Sequence, residues 1–367
     1  MKEKLNYVHV AFLIYVTQSN VFLFSVPRIV AENFGSNGWI GFLICSAAGL
    51  FNIFLYSMVY KLAKGRSVFD IIEQSMPKAL LYPVYLILAV FWIALGAFVG
   101  KQYVNVLQTV TFPTTPSMFI YIFYAYMLYL LLIKNIYVIG KIGILFFLST
   151  IWMVVILVYF LPDWSFSNLT PFLFQSPSVP FSFDNWLEVY SGFIGYELAV
   201  FLFPYAQQDN KLFKGVYLGH LLVTAVYLSV ILAAFGFYGL QYLQADQFPL
   251  VDMLAYVELS FINRIENLLL PFFLYKSLMT TVMYAWAALL MLKRMTRKFK
   301  PKVLEAVITL TSIGFASYPK LMRDTQVLVR QSIYVEIMLA FTFPLLLMML
   351  LYWQKLRNGG RLHESKN

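Results

Sequence analysis

Long apolar runs separated by short polar or Gly/Pro-bearing stretches recur along the whole chain, each able to cross ~30 Å of hydrocarbon as a helix. They predict spans near residues 8–30, 39–60, 83–107, 118–133, 142–161, 186–206, 215–239, 265–292, 303–317 and 334–353. The expected fold is therefore an all-α polytopic membrane protein of ten transmembrane helices. No stretch reads as a separate soluble domain, so residues 1–367 form one transmembrane unit: 1–161 the first five helices, 186–353 the second five, and 354–367 a tail. Five crossings is an odd number, so the second half enters from the opposite face, and related halves would be inverted repeats. A faint echo supports this 5+5 scheme. Asn20-Val-Phe-Leu-Phe-Ser-Val-Pro27 and Glu197-Leu-Ala-Val-Phe-Leu-Phe-Pro204 both place a proline seven residues after a polar residue.

Two spans lose their apolar pattern near the middle: the first at Thr17-Gln18-Ser19-Asn20, the sixth at Gly192-Phe-Ile-Gly195-Tyr196-Glu197. A polar group that cannot reach water must be satisfied inside the protein, so such residues mark a cavity or a helix seam. At ~1.5 Å per residue, Gln18 to Asn20 lie about 15 Å into the first helix and Glu197 about 18 Å into the sixth. Both helices are expected to be broken there and to face each other. Freed N–H groups suit a carboxylate and loose carbonyls suit an ammonium, and an amino acid carries both. The expected ligand site is thus Gln18, Ser19 and Asn20 opposite Gly192, Gly195, Tyr196 and Glu197. The glycines serve either unwinding or simple close packing. Glu197 either binds a ligand amine, carries a proton, or sits in a structural ion pair; Glu188, nearer the span end, reads as interfacial.

In the eighth span Lys276, Thr280 and Tyr284 recur at i, i+4 and i+8, with Ser277 and Thr281 beside them. Thr280 and Tyr284 are candidates to line the pocket. Lys276, about 16 Å deep, is expected to pair with a carboxylate such as Glu197 or to replace a bound cation. In the third span Trp92, Gly96 and Gly100 share a face, where Trp92 and Gly96 wall a pocket or pack against a neighbouring helix. Lys101 and Gln102 are expected to snorkel to the interface.

Composition agrees: 61% of the residues are hydrophobic and 12% charged. A formal charge of +10 and the run Lys293-Arg294-Met-Thr-Arg297-Lys298-Phe-Lys300-Pro-Lys302 raise the question of nucleic acid. Topology answers it, because basic residues collect in cytoplasmic loops. With the N-terminus inside, those loops hold most of the 27 Lys and Arg, including Lys61, Lys64, Arg66 and Lys78, the 293–302 run and the tail. Both termini are therefore expected in the cytoplasm. The apolar start after Met1-Lys2-Glu3-Lys4 is expected to be a retained first helix rather than a signal peptide, since it is long and has a polar centre. Of the loops on the other face, the one over 240–264 contains Phe248 to Leu259, which is expected to form a short amphipathic helix on the membrane surface. Cys45 is the sole cysteine, which rules out an internal disulfide. His9, His220 and His363 form no paired metal motif, and no phosphate loop or dinucleotide fingerprint is present. The expectation is a non-enzyme with no metal and no cofactor.

The opening Ser19-Asn20-Val-Phe-Leu-Phe-Ser25-Val-Pro27-Arg28, followed by Gly35 and Trp39-Ile40, resembles the B subunits of spore germinant receptors. That family is a branch of the amino acid/polyamine/organocation (APC) transporter superfamily. Phe261-Ile-Asn263-Arg264-Ile-Glu266-Asn267-Leu-Leu269 adds to the resemblance. It implies a LeuT/APC-like fold that recognises a germinant, commonly an amino acid, in a pocket of the first, third, sixth and eighth helices. It also implies A and C partner subunits and a place in the spore inner membrane. Asn20 stands where related chains often carry a small residue, and Lys276 has no role that the resemblance supplies. The expected function is germinant sensing; a proton-coupled amino acid permease using Glu197 or Lys276 is the alternative, and a purely structural membrane scaffold the third reading.

Overall fold

Asn6 starts the first helix. Its side chain accepts the His9 N–H at 2.9 Å while the His9 ring reaches back to the Asn6 N–H, a reciprocal cap for otherwise unpaired donors. The computed structural model describes residues 4–169, 182–207, 211–257, 265–296 and 301–364, nearly all helical. In chain order these are α1 (Tyr7–Gln18), α2 (Phe22–Phe34), α3 (Gly38–Ala63), the short α4 (Val68–Glu73), α5 (Lys78–Val110) and α6 (Ser117–Leu132). Next come α7 (Ile136–Ile151), continued as 3₁₀ turns over Trp152–Phe160, then α8 (Phe183–Tyr190) and a 3₁₀ segment, Tyr196–Tyr205. The chain continues with α9 (Leu212–Tyr238), α10 (Leu240–Ala245), α11 (Pro249–Ala255), α12 (Ile265–Met295), α13 (Pro301–Ser317) and α14 (Met322–Glu364). Among the described residues the one isolated β-bridge joins Leu5 to Ala206.

Every stretch that the hydrophobic pattern marks as a span is helical, apart from the interruptions in the first and sixth. Among the described residues, seven helical stretches suffice by length and composition to cross a membrane, and α1 and α6 are shorter apolar helices. Large apolar side chains such as Phe51, Phe119, Val155 and Met349 stand exposed on the outside, as hydrocarbon allows and water does not. The chain is an all-helical integral membrane protein.

One boundary and two placements differ from expectation. The tenth span is predicted from residue 334, yet α14 begins at Met322, because its first turns carry Arg323, Gln326 and Arg330 and face a polar cavity rather than lipid. The first span is two helices, α1 and α2, with Ser19 extended between them, a break that falls at the polar centre where one is expected. Lys101 does not snorkel: it is buried and donates to Ser117 Oγ at 2.8 Å and to the Met118 sulfur. Of the 248–259 stretch, Pro249–Ala255 is helical as α11, but Leu250, Val251, Met253 and Leu254 are buried within the protein, and residues 258 and 259 lie outside the described residues. Arg264 and Glu258 lie outside the described residues, as do Arg297, Lys298 and Lys300 of the basic run.

Backbone approach explains how α1 is held. A Cβ on Gly215 would come within 2.4 Å of the Tyr7 carbonyl oxygen, and one on Gly219 within 2.5 Å of that of Ala11. This four-residue spacing lets α9 lie directly on α1. On the other side α12 runs along α5, where Thr281 donates to the Gly96 carbonyl at 2.9 Å.

The two interrupted elements run in opposite senses and are joined at both ends. At one end the Leu5 N–H donates to the Tyr205 carbonyl at 2.9 Å, and the Gln207 N–H to the Leu5 carbonyl at 3.0 Å. At the other, Asn33 Nδ2 donates to Glu188 at 3.3 Å. Their interruptions therefore fall side by side in the interior.

Candidate functional site

The first interruption is built by Ser19 and Asn20. Asn20 Oδ1 accepts the Phe22 N–H at 3.0 Å, a side-chain turn that competes with helix continuation and starts α2 on a new course. The Tyr15, Thr17 and Gln18 carbonyls at the end of α1 have partners. Thr17 Oγ1 donates to the Leu13 carbonyl at 2.7 Å and the Ser19 N–H to that of Tyr15 at 2.9 Å. Thr280 Oγ1, from α12, donates to the Thr17 carbonyl at 2.7 Å, and the Tyr227 hydroxyl, from α9, to that of Gln18 at 3.2 Å. Side chains of other helices thus replace the missing helical bonds.

The second interruption centres on Gly195, whose φ of +125° with ψ of −20° is a conformation that side-chain-bearing residues rarely adopt. Its N–H donates to Glu197 Oε2 at 2.8 Å, so the carboxylate two residues on caps the start of the 3₁₀ segment. Gln18 ties the two breaks together: its Nε2 donates to the Phe193 carbonyl and faces His220 Nδ1 at 3.3 Å. His220 Nε2 lies 3.1 Å from the Ser46 carbonyl, so these partners assign the proton to Nε2 and leave Nδ1 as acceptor. Gln18 is fully buried, and its Oε1 faces no donor among the described residues.

On the α2 side of the breaks a cavity of about 250 Å³ opens between α2, α5, α8 and α14. One water needs ~10–15 Å³ on this measure, so the cavity has room for a small solute. Asn20, Phe22 and Ser25 form one wall, Gln102 another, Glu188 and Ser191 a third, and Arg323, Gln326 and Arg330 the fourth. Arg330 pairs with Glu188 at 3.5 Å beside it. Glu188, expected to be interfacial, is thereby a bridge between α8 and α14.

Of the residues singled out from sequence, Asn20 lines this cavity. Gln18 and Ser19 are buried between the breaks, and a Cβ on Gly192 would strike the Phe22 ring at 2.4 Å. Gly96 packs on the backbone of Thr281, whose oxygen a Cβ would meet at 3.4 Å. Tyr196 hydrogen-bonds Tyr190, hydroxyl to hydroxyl at 2.6 Å. Tyr284 donates to Glu197 Oε1 at 3.1 Å, and the Trp92 indole N–H donates to Glu336 Oε2 at 2.9 Å. Glu197 and Lys276 do not form an ion pair. Lys276 Nζ donates to the Tyr15 hydroxyl at 3.1 Å and lies over the Tyr15 and Phe273 rings at 5.1 and 5.3 Å. The reason is axial spacing: Tyr284, the α12 residue that reaches Glu197, is two turns or ~12 Å from Lys276.

Sequence reasoning missed Glu336, Tyr227 and His220, all buried around the breaks. A histidine well inside a predicted span was a usable signal for His220. Glu336 falls at the edge of the predicted tenth span, 334–353, because α14 begins twelve residues before its apolar pattern does.

Comparison with known proteins accords with this geometry. The chain superposes on Mhp1, a nucleobase-cation-symport-1 family transporter in a closed conformation with bromovinylhydantoin bound. The TM-score is 0.65 at 14% identity, covering 89% of this chain and 75% of that one, so a transporter fold is shared. In sequence it is 23% identical over 270 residues to the spore germination protein GerQB of Bacillus cereus, covering 71% of either chain. The profile of a family described as spore germination protein, the spore permeases, matches residues 4–325, and with so much of its length matched the chain belongs to that family.

Proposed function

We propose that this chain is the germinant-sensing subunit of a spore germination receptor, one that binds a small nutrient, most simply an amino acid, where its two interrupted elements meet. The observation that carries the reading is the pair of adjacent breaks, the first of which opens through Asn20 onto the 250 Å³ cavity, with backbone groups held by side chains of other helices. Such bonds exchange readily for bonds to a ligand. In this reading the ligand enters past Arg330 and Glu188 to Asn20, its carboxylate drawn by the arginines of the cavity wall. Its ammonium takes the unpartnered Gln18 Oε1 and the carbonyls that Thr280 and Tyr227 now hold. Gly192, Gly195 and Tyr196 form the opposite side, and Trp92, Gly96, Glu197 and Tyr284 support it from behind.

A ten-span, 5+5 inverted-repeat arrangement, cytoplasmic termini, a place in the spore inner membrane and A and C partner subunits belong to the same reading. Sensing requires that the ligand bind one arrangement of the breaks better than another; equal affinity for both would shift nothing. Spores carrying Asn20→Ala or Thr280→Val in an assembled receptor should need several-fold more germinant for half-maximal response. Dose-response curves that overlay the wild type would reject the site.

A proton-coupled amino acid permease is the second reading, favoured by the burial of Glu197 and Lys276, 5% and 2% exposed. Reconstituted protein separates the two. Uptake of labelled amino acid driven by a pH gradient supports transport, and saturable binding without flux supports sensing.

A further inference from the structure

Behind the second interruption, Glu197 meets a second buried carboxyl, Glu336 of α14, and the two groups are placed to hydrogen-bond each other. Counting donors shows what this arrangement lacks. Glu197 Oε2 accepts the Gly195 N–H, and Glu197 Oε1 accepts the Tyr284 hydroxyl. Glu336 Oε2 accepts the Trp92 indole N–H, while Glu336 Oε1 faces no donor among the described residues. Among the described residues no Lys, Arg or His lies within ion-pair distance of either carboxyl. The other titratable groups around the pair are tyrosines: Tyr56 from α3, Tyr190 from α8, Tyr196 on the 3₁₀ segment itself and Tyr284 from α12. None supplies a positive charge. A void of about 30 Å³, lined by Tyr56, Trp92, Glu197, Phe201, Glu336 and Ala340, adjoins the pair and has room for one or two waters.

We propose that Glu197 and Glu336 form a one-proton binding site in which a single proton, shared between the carboxyls, is the missing donor for Glu336 Oε1 and holds α14 against the second interrupted element. Two carboxylates sharing a buried site repel when both are ionised, and the proton turns that repulsion into a hydrogen bond. Glu197 also caps the break through Gly195, so the same proton joins the conformation of the break to the position of α14. Release of the proton leaves like charges facing each other across the α14 contact. The proton is thus a ligand of one arrangement of these helices. The site stands on its own geometry and does not require the germinant assignment.

Infrared difference spectroscopy on the full chain in nanodiscs tests this, reading the C=O stretch of a protonated carboxyl at neutral pH, identified by its shift in D₂O. The wild type should show that band. Glu197→Gln and Glu336→Gln should each abolish it, because an amide then donates to the remaining carboxylate. Glu305→Gln, which removes a carboxylate already paired with Lys293 at 2.9 Å, should leave it intact. Trp92→Phe keeps both carboxyls and should shift the band by removing a hydrogen bond, which covers the case of a glutamine variant that fails to fold. Absence of the band in the wild type, its survival in both glutamine variants, or an unmoved band in Trp92→Phe would overturn the proposal.

Discussion

At the scale of single residues, the interior is governed by where freed backbone groups find partners. Thr280→Val removes the donor to the Thr17 carbonyl and leaves that oxygen buried without a bond, at a cost of about 1–3 kcal/mol. Thermal unfolding in detergent should show a lowered midpoint, and an unchanged midpoint would mean that another group takes over the carbonyl. Gly195→Ala forces a Cβ into a backbone region that costs about 1–3 kcal/mol, with Thr17 Cγ2 only 3.0 Å away. The same melting assay should show destabilisation there, and none if the chain relaxes. These residues were legible in sequence because polarity inside an apolar run needs a physical reason. Which residue meets which was not legible. Lys276 and Tyr284 share a stripe on α12, yet Tyr15 takes the first and Glu197 the second, and only the relative height of the neighbouring helices decides that.

At the scale of elements, hydrophobic pattern located the helices, and its failures have one cause. A helix whose flank faces a wet cavity carries polar residues that read as loop, as the first turns of α14 do with Arg323, Gln326 and Arg330. The late start moved Glu336 from the interior to an apparent end and hid it. Small-residue spacing misled in a related way. Gly96 and Gly100 drew attention, and Gly100 does lie against the Tyr124 ring, but the closer helix contact is made by Gly215 and Gly219, where α9 meets α1. Gly219→Val should push α9 off α1 and destabilise the protein by about 1–3 kcal/mol or more, lowering the unfolding temperature and the folded yield. A variant that melts like the wild type would show that α1 can shift without loss.

At the scale of the whole molecule, the cavity and the breaks sit between an end joined by Arg330 and Glu188 and an end joined through Leu5. The Arg330–Glu188 pair spans 3.5 Å, and the arginine side chain is half exposed, so its loss should cost less than ~1 kcal/mol. Access should respond more than stability. In a Cys45→Ser background, Ser191→Cys should react several-fold faster with a water-soluble thiol reagent once Arg330 is replaced by alanine. Equal rates would show that the pair does not restrict entry.

The Leu5 end is a different kind of closure. Its two bonds to Tyr205 and Gln207 are main chain to main chain, and no rotamer change undoes them. A visitor arriving from the Arg330 side needs only to brush side chains apart, whereas onward passage demands that a stitched hem be unpicked. On the proposed reading, a receptacle of that shape would be sampled cheaply and leak poorly.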